Sequence, residues 1–366
     1  MKKFTKGFHV LFLLVILCSG FLFDGCAKKN VKITRENIKV GFVYNGLITD
    51  EGYTQCQDAG RRALVKSGIP TMYVENISDG NLTAYSFIED LIAEGCNVIY
   101  ACSYGFMDSI VLASQQHPDV IFGHCSGIMQ SENLSNYFGK MYQARYLSGI
   151  VAGLKTRKNR IGYVAAYKIP ECIRGINAFT LGVQSVNPDA VVEVQWTNTW
   201  YDPKVEKEGA DKVLAKGCDV IAQHQDTPAV QLAAQKVGAF CIGYNFIPKK
   251  VAAPKSFLTA PVFNWDVFIV DDIKRILDGT WESRSYWEGL DTGIVDLAEL
   301  TELCAPGTEE KVREAKNKII NGELFIFEGE LYDADGNLRV PANERMTDDE
   351  IKNMTWFVRG VNEELQ

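Results

Sequence analysis

The chain has 366 residues, of which 46% are hydrophobic and 23% charged. That length suits about two domains, and the composition is globular, which excludes disorder, collagen and coiled coil. A net charge of -8 offers no basic surface for phosphates, so nucleic acid is not an expected partner, and a mean hydropathy of -0.08 excludes a multi-span membrane protein.

The N-terminus differs in kind. Lys2, Lys3 and Lys6 precede an apolar run from Val10 to Phe23, too short to span a bilayer and typical of an export signal. The run closes on Gly25-Cys26, and Ala27 to Asn30 are abruptly polar. This resembles a bacterial lipoprotein signal, with Cys26 lipidated and becoming the mature N-terminus. Phe23 stands where Leu is usual, and Asp24 is atypical. A plain signal peptide and an uncleaved anchor are the competing readings. The expectation is a lipid-anchored protein on the extracytoplasmic face of the cell membrane, with residues 1–26 as signal and 27–37 as tether. Export permits disulfides, but Cys96, Cys102, Cys125, Cys218 and Cys241 lie in or beside apolar runs, where a thiol serves as a small hydrophobe. The absence of a C-x-x-C pair removes support for zinc or thioredoxin chemistry.

From Ile38 onward, β-branched runs alternate with helical patterns. Strands are expected at Lys39–Tyr44, Met72–Glu75, Asn97–Ala101 and Val120–Gly123, and helices at Tyr53–Lys66, Leu82–Glu94 and Phe106–Gln116. Tyr142–Leu154 reads as a helix rich in Gly and Ala. The alternation then restarts, with strands at Arg160–Val164, Val191–Trp196, Asp219–Ala222 and Phe240–Gly243, and helices at Glu171–Val186, Val205–Lys216 and Ala229–Lys236. Later come a strand at Leu258–Phe263, helices at Trp265–Leu277 and Glu309–Ile320, and a hairpin from Phe325–Tyr332 to Asn337–Val340. Ala93 to Ile99 (AEGCNVI) echoes Ala215 to Ile221 (AKGCDVI), each a helix end, a glycine cap and a strand start. Repeated βα order makes this an α/β protein with two doubly wound parallel-sheet lobes joined by a hinge. The expected lobes are 38–156 plus about 262–284, and 157–261 plus about 285–366 with a C-terminal extension. Crossovers are expected near 155–160, 257–263 and 285–293.

In such sheets the ligand sits beyond the carboxyl ends of the strands. Six of these tips carry aromatics beside Asp, Asn, Gln or Ser. They supply Tyr44, Asp50 and Tyr53 after the first strand, Ser103 and Tyr104, Tyr167, Trp200, Asp226, and Asn245. Aromatic faces with a few hydrogen-bonding groups suit a flat heterocycle. Asp50 is expected to accept from a ring N–H or amine, with helix capping as its alternative. Tyr53, Trp200 and Tyr104 are expected to cover the ring faces. Asp226 is a second polar contact or a helix cap, and Asn264 and Trp265 complete the set, with packing of its own helix as the alternative for Trp265. A P-loop, G-x-S-x-G and H-E-x-x-H are missing, so no catalysis, metal or cofactor is expected. The DADGN turn at 333–337 has its Gly in the fourth place, which fits a hairpin rather than a calcium loop.

These features, with Asp50-Glu51-Gly52-Tyr53, MYQARYLSGIVAGL (141–154), RGINAF (174–179), Trp200 to Pro203, QHQDTPA (223–229), DGTW (278–281), Phe327 to Gly329 and MTWFVRGV (354–361), resemble the basic membrane protein (BMP) family of lipoproteins. The resemblance runs from about Ile38 to Gly360. It implies a type I periplasmic-binding fold, a monomer, and the substrate-binding protein of an ABC importer, with a permease partner and no catalysis. Nucleoside-binding relatives hold the ribose with an Asp after the strand ending here at Tyr244, and a Lys after the Leu-Thr found here as Leu258-Thr259. Asn245 and Phe263 or Asn264 stand there instead. The resemblance therefore implies a purine base, adenine first, rather than a nucleoside. A nucleoside receptor, a receptor for a sugar or signal molecule, and a surface adhesin are the alternatives.

Overall fold

The computed structural model describes residues 32–245 and 251–363, so Cys26 and Phe246 lie outside the described residues. The first series runs β1 (Val40–Val43), α1 (Tyr53–Lys66), β2 (Thr71–Val74), α2 (Tyr85–Ala93), β3 (Val98–Ala101), α3 (Met107–Gln116), β4 (Ile121–Cys125) and β5 (Leu134–Gly139). Helix α4 (Met141–Lys155) opens the second: β6 (Arg160–Ala165), α5 (Pro170–Gln184), β7 (Val191–Trp196), α6 (Pro203–Ala215), β8 (Val220–His224), α7 (Ala229–Lys236), β9 (Phe240–Ile242) and β10 (Phe257–Thr259). Then come β11 (Pro261–Phe263), α8 (Trp265–Asp278), β12 (Ser285–Glu288), β13 (Val295–Leu297), α9 (Thr308–Ile320), the hairpin β14 (Leu331–Tyr332) and β15 (Leu338–Val340), α10 (Asp348–Lys352) and β16 (Val361–Glu363).

Two six-stranded parallel sheets result, ordered β12-β5-β4-β3-β1-β2 and β10-β9-β8-β6-β7-β16. Without their outer strands β12 and β16, the orders are the same, 5-4-3-1-2. Strands such as β1 (VGFV) and β3 (VIYA) are buried throughout. That burial explains their unbroken apolar runs, since helices cover both faces of a parallel sheet. The sequence echo is structural too. Gly95 and Gly217 have φ of +90° and +91°, and the amides of Cys96 and Cys218 close back on Leu91 and Val213. A residue with a Cβ would be strained at both positions.

Helix α4 departs from expectation. It lies within the span assigned to the first lobe, yet it packs on α5 of the second. A Cβ on Gly149 would lie 2.1 Å from the Phe179 carbonyl oxygen, and one on Gly182 would lie 2.0 Å from that of Tyr146. The glycines of this helix therefore let two backbones touch. Arg145 Nη1 fixes the same helix to the Gln223 carbonyl at 2.8 Å. The first crossing between sheets consequently falls at Gly139–Met141, ahead of α4, rather than near 155–160.

The stretch expected as one strand, Leu258–Phe263, is two. β10 joins the second sheet, while β11 pairs antiparallel with β13 between the lobes. Pro261, which has no N–H to donate, begins β11. β12 lies just past the boundary expected near 284 but pairs with β5 of the first sheet. Strands β5 and β12 escaped pattern reading because polar residues interrupt their apolar runs, and Ser285 Oγ donates to Asn136 Oδ1 at 2.7 Å beside their backbone ladder. In the C-terminal extension, Asn177 of α5 accepts from the Val358 amide and donates to the Trp356 carbonyl, and β16 then pairs with β7. The 333–337 turn is organised by Asp333, whose carboxylate accepts from the Asp335 and Asn337 amides and from Arg339. Among the described residues, no helix is long and apolar enough to cross a membrane.

Candidate functional site

The lobes meet where α1 begins. A Cβ on Gly52 would lie 2.4 Å from the carbonyl oxygen of Asp226 and 2.8 Å from its Cβ. At this meeting point Glu51 of the first lobe closes one small cavity of about 10 Å³ against Gln223, Thr227 and Tyr244 of the second. The strand ends of both sheets thus face one another across a narrow cleft.

On the first lobe, Tyr53 donates its hydroxyl to the Cys102 carbonyl at 2.8 Å and sits 3.2 Å from Cys125 Sγ. Burial pushes that hydroxyl's pKa well above the usual phenol range, so it stays protonated. Its ring meets Trp265 edge-on at 6.4 Å. Trp265 is fully buried, stacks on Phe263 at 4.3 Å and leaves its Nε1 without a partner.

On the second lobe, rings follow one another inward. Tyr167 meets Trp200 at 5.5 Å, Trp200 meets His224 at 5.8 Å, and His224 meets Tyr244 at 4.4 Å. The Arg145 guanidinium lies 3.9 Å above the Tyr244 ring. The Asp226 amide donates to the Trp200 carbonyl at 3.2 Å. Burial pushes the Asp226 carboxyl well above its ordinary pKa, and the charges of Asp50 and Glu206 add to this. The Tyr53 amide opposes the shift, as does the polar side chain of Asn245, which faces the carboxyl from beyond hydrogen-bonding distance. Asn245 is 2% exposed, has a φ of +66°, and keeps both side-chain amide atoms unpartnered. Buried unpartnered amides are rare in folded proteins, and left-handed backbone away from glycine concentrates at functional sites.

Tyr53, Tyr167, Trp200, Asp226, Asn245 and Trp265 are therefore brought together. Other expected site residues are engaged elsewhere. The Asp50 carboxylate accepts from the Gly52, Thr54 and Gln55 amides at 2.8, 2.8 and 3.0 Å, which makes it the cap of α1. Tyr44 is fully buried, with its hydroxyl 3.5 Å from Asp58 under α1. Ser103 donates to Asp79 at 2.7 Å. Asn264 donates to the Gly293 carbonyl at 2.8 Å and braces a lobe crossing. Tyr104 is 59% exposed and lies outside the ring cluster.

With this geometry in place, the comparisons with known proteins are decisive. Residues 37–329 match the Bmp family, described as ABC transporter substrate-binding protein, PnrA-like. The chain belongs to the Bmp family. It is 34% identical over 359 residues to a purine-binding protein of Brucella abortus, covering 96% of this chain and 99% of that one. It is 32% identical over 332 residues to a putative ABC transporter glucose-binding protein of Haloferax volcanii, covering 90% and 82%. A solute-binding protein of Conexibacter woesei shares the fold at a TM-score of 0.68 and 20% identity, covering 79% of this chain and 98% of that one. This Bmp-family chain is thus an ABC transporter substrate-binding protein. Such proteins work outside the cytoplasm, with a small-molecule ligand and a permease as partners.

Of the charged floor of this Bmp cleft, residue patterns alone offer only His224, as a polar group at a strand end, and miss Arg145, Glu171 and Arg174 as its partners. Arg145 is fully buried, with Nε and Nη2 unpartnered. Arg174 lies 5.1 Å from the Trp287 ring, joining the second lobe to the first. Glu171 and His224 complete the floor, at 3.7 Å. A signal did exist: an Arg inside a helix made mostly of Gly, Ala and apolar residues must seek buried partners.

Two predictions follow from these placements. Asp50→Ala should lower unfolding stability by about 1 kcal/mol in urea titrations while changing ligand affinity little. Weaker binding at unchanged stability would refute the capping role. Glu206 is buried and accepts from the Thr227 hydroxyl at 2.5 Å, and burial raises its pKa to about 7. Because the folded pKa exceeds the unfolded one near 4.5, folding favours the protonated form. Stability is then fully present below about pH 4.5 and is lost as pH rises through 7. Glu206→Gln should remove up to about 3 kcal/mol of that decline, seen as melting curves of variant and wild type converging at low pH. Parallel curves at all pH values would contradict it.

Proposed function

We propose that this cleft captures a purine base, adenine first, and delivers it to an ABC importer permease, with the protein held at the membrane by lipid on Cys26. The observation that carries the reading is the buried side-chain amide of Asn245, with donor and acceptor both unpartnered. An Asn amide matches the adjacent donor and acceptor on one edge of adenine, the pairing used wherever Asn reads adenine bidentately. Tyr53, Trp200 and Trp265 are the aromatic groups of the same cleft, and the buried Trp265 N–H has no partner of its own. The purine-binding relative in Brucella abortus supports the same class. Where the family resemblance implies a ribose-holding cation stands Phe263 or Asn264, and Asn264 ties down Gly293, which favours a ligand without a sugar.

The Haloferax volcanii relative supports a hexose as the second reading, since aromatic faces and carboxylates also suit sugars. Calorimetry with adenine, adenosine, guanine, inosine and glucose separates the two. Adenine should bind tightest, and Asn245→Ala should weaken it by at least about tenfold. A nucleoside binding tighter than every free base would overturn the base assignment. Glucose binding with no purine heat would replace the whole reading. The anchor has its own check: Cys26→Ser should release the protein from the membrane or block signal cleavage. A membrane-bound variant of unchanged mature mass would refute lipidation.

A further inference from the structure

Glu171 lies in the first turn of α5, where the helix dipole favours a negative charge. Its side chain is 23% exposed, while that of His224 beside it is 2% exposed. The 3.7 Å between Glu171 Oε1 and His224 Nε2 is too long for a hydrogen bond, and both His224 ring nitrogens lack partners. Beneath them, Arg145 is fully buried with two nitrogens unpartnered.

Burial works to raise the Glu171 pKa, but the polar His224 ring facing it and the Arg174 and Arg145 charges together outweigh it and hold the carboxyl below its ordinary value. Burial, with Arg145 adding, lowers His224 to about 4, so that ring is neutral at pH 7. Glu171 also lies within electrostatic reach of Tyr53 and Cys125 on the opposite lobe. An ionised carboxylate thus has one side on a cationic floor and the other on the cleft, opposite the aromatic wall.

We propose that Glu171 is the group by which the cleft tells a free purine base from its nucleoside, its carboxylate accepting the imidazole-ring N–H that glycosylation removes. This rests on the purine reading above and deepens it. A free base carries a hydrogen on an imidazole nitrogen, and a nucleoside carries the sugar carbon there. A charged acceptor rewards the first and has no donor to meet in the second, while the sugar would press against a desolvated carboxylate. The base's amino edge then points away, toward the Asn245 amide. Arg145 and Arg174 act as positioning residues whose charges keep the carboxylate ionised, and the neutral His224 ring lines the floor beside it.

The test compares adenine with 9-methyladenine by calorimetry on the wild type, Glu171→Ala and Glu171→Gln. The methyl group blocks the N–H and adds little bulk. The wild type should prefer adenine by about ten- to a hundredfold. In Glu171→Ala the preference should fall to within about threefold, through loss of adenine affinity, and in Glu171→Gln it should fall part of the way. A structural role would weaken both ligands equally and leave the ratio unchanged, which overturns the proposal. A wild type that binds both equally overturns it as well. Melting temperatures confirm folding, and the isosteric Gln variant carries the test if the Ala variant unfolds. A wild type that binds no purine at all overturns the purine reading and this inference together. An unchanged ratio in a purine-binding protein overturns the inference alone.

Discussion

No Cβ fits between α4 and α5 at Gly149 and Gly182, and much of the cleft follows from that contact. Two helices whose backbones touch hold their side chains in a fixed relation. Arg145 lies one turn before Gly149, and Glu171 and Arg174 open α5 at the same end. The close approach sets these three charges beneath the strand ends of β8 and β9, where His224 and Tyr244 arrive from the sheet. Parallel strands contribute the other half of the constraint, because their carboxyl ends share one edge and every loop that follows is aimed at the opposing lobe.

The polar groups of the cleft divide by how far their hydrogen-bonding capacity is used locally. Asp50, Ser103 and Asn264 close bonds within a few residues or within one lobe. Those bonds stabilise loops and helix starts. Asn245, Trp265, His224 and Arg145 keep unpartnered atoms in buried positions. Leaving a buried group unpaired costs roughly 1–3 kcal/mol, so such groups call for a partner such as water, an ion or a ligand. The proposed recognition chemistry draws on the second set, whose groups come from both lobes and from the segments between them.

Reading residues in order located most of the βα alternation, though not β5, β12 or the break at Ala260, because hydrophobic periodicity and glycine caps are local properties. It could not rank the residues at those ends. Asp50 and Asp226 both follow a strand and precede a helix, and only the fold shows that one caps α1 while the other meets the opposite lobe. Glu171 carries no distinguishing local mark, since an acid in the first turn of a helix is ordinary capping chemistry.

The sequence by itself determined the α/β alternation, the duplicated helix-glycine-strand junctions and the family, because these rest on spacing within about thirty residues or on order along the chain. Tertiary structure alone decided that α4 belongs with the second lobe, that Leu258–Phe263 divides between two sheets, and that Arg145, Glu171 and His224 share one floor. Those outcomes depend on backbones approaching to contact distance and on charges drawn together from α4, α5 and β8. Such relations exist only once distant segments have folded against each other.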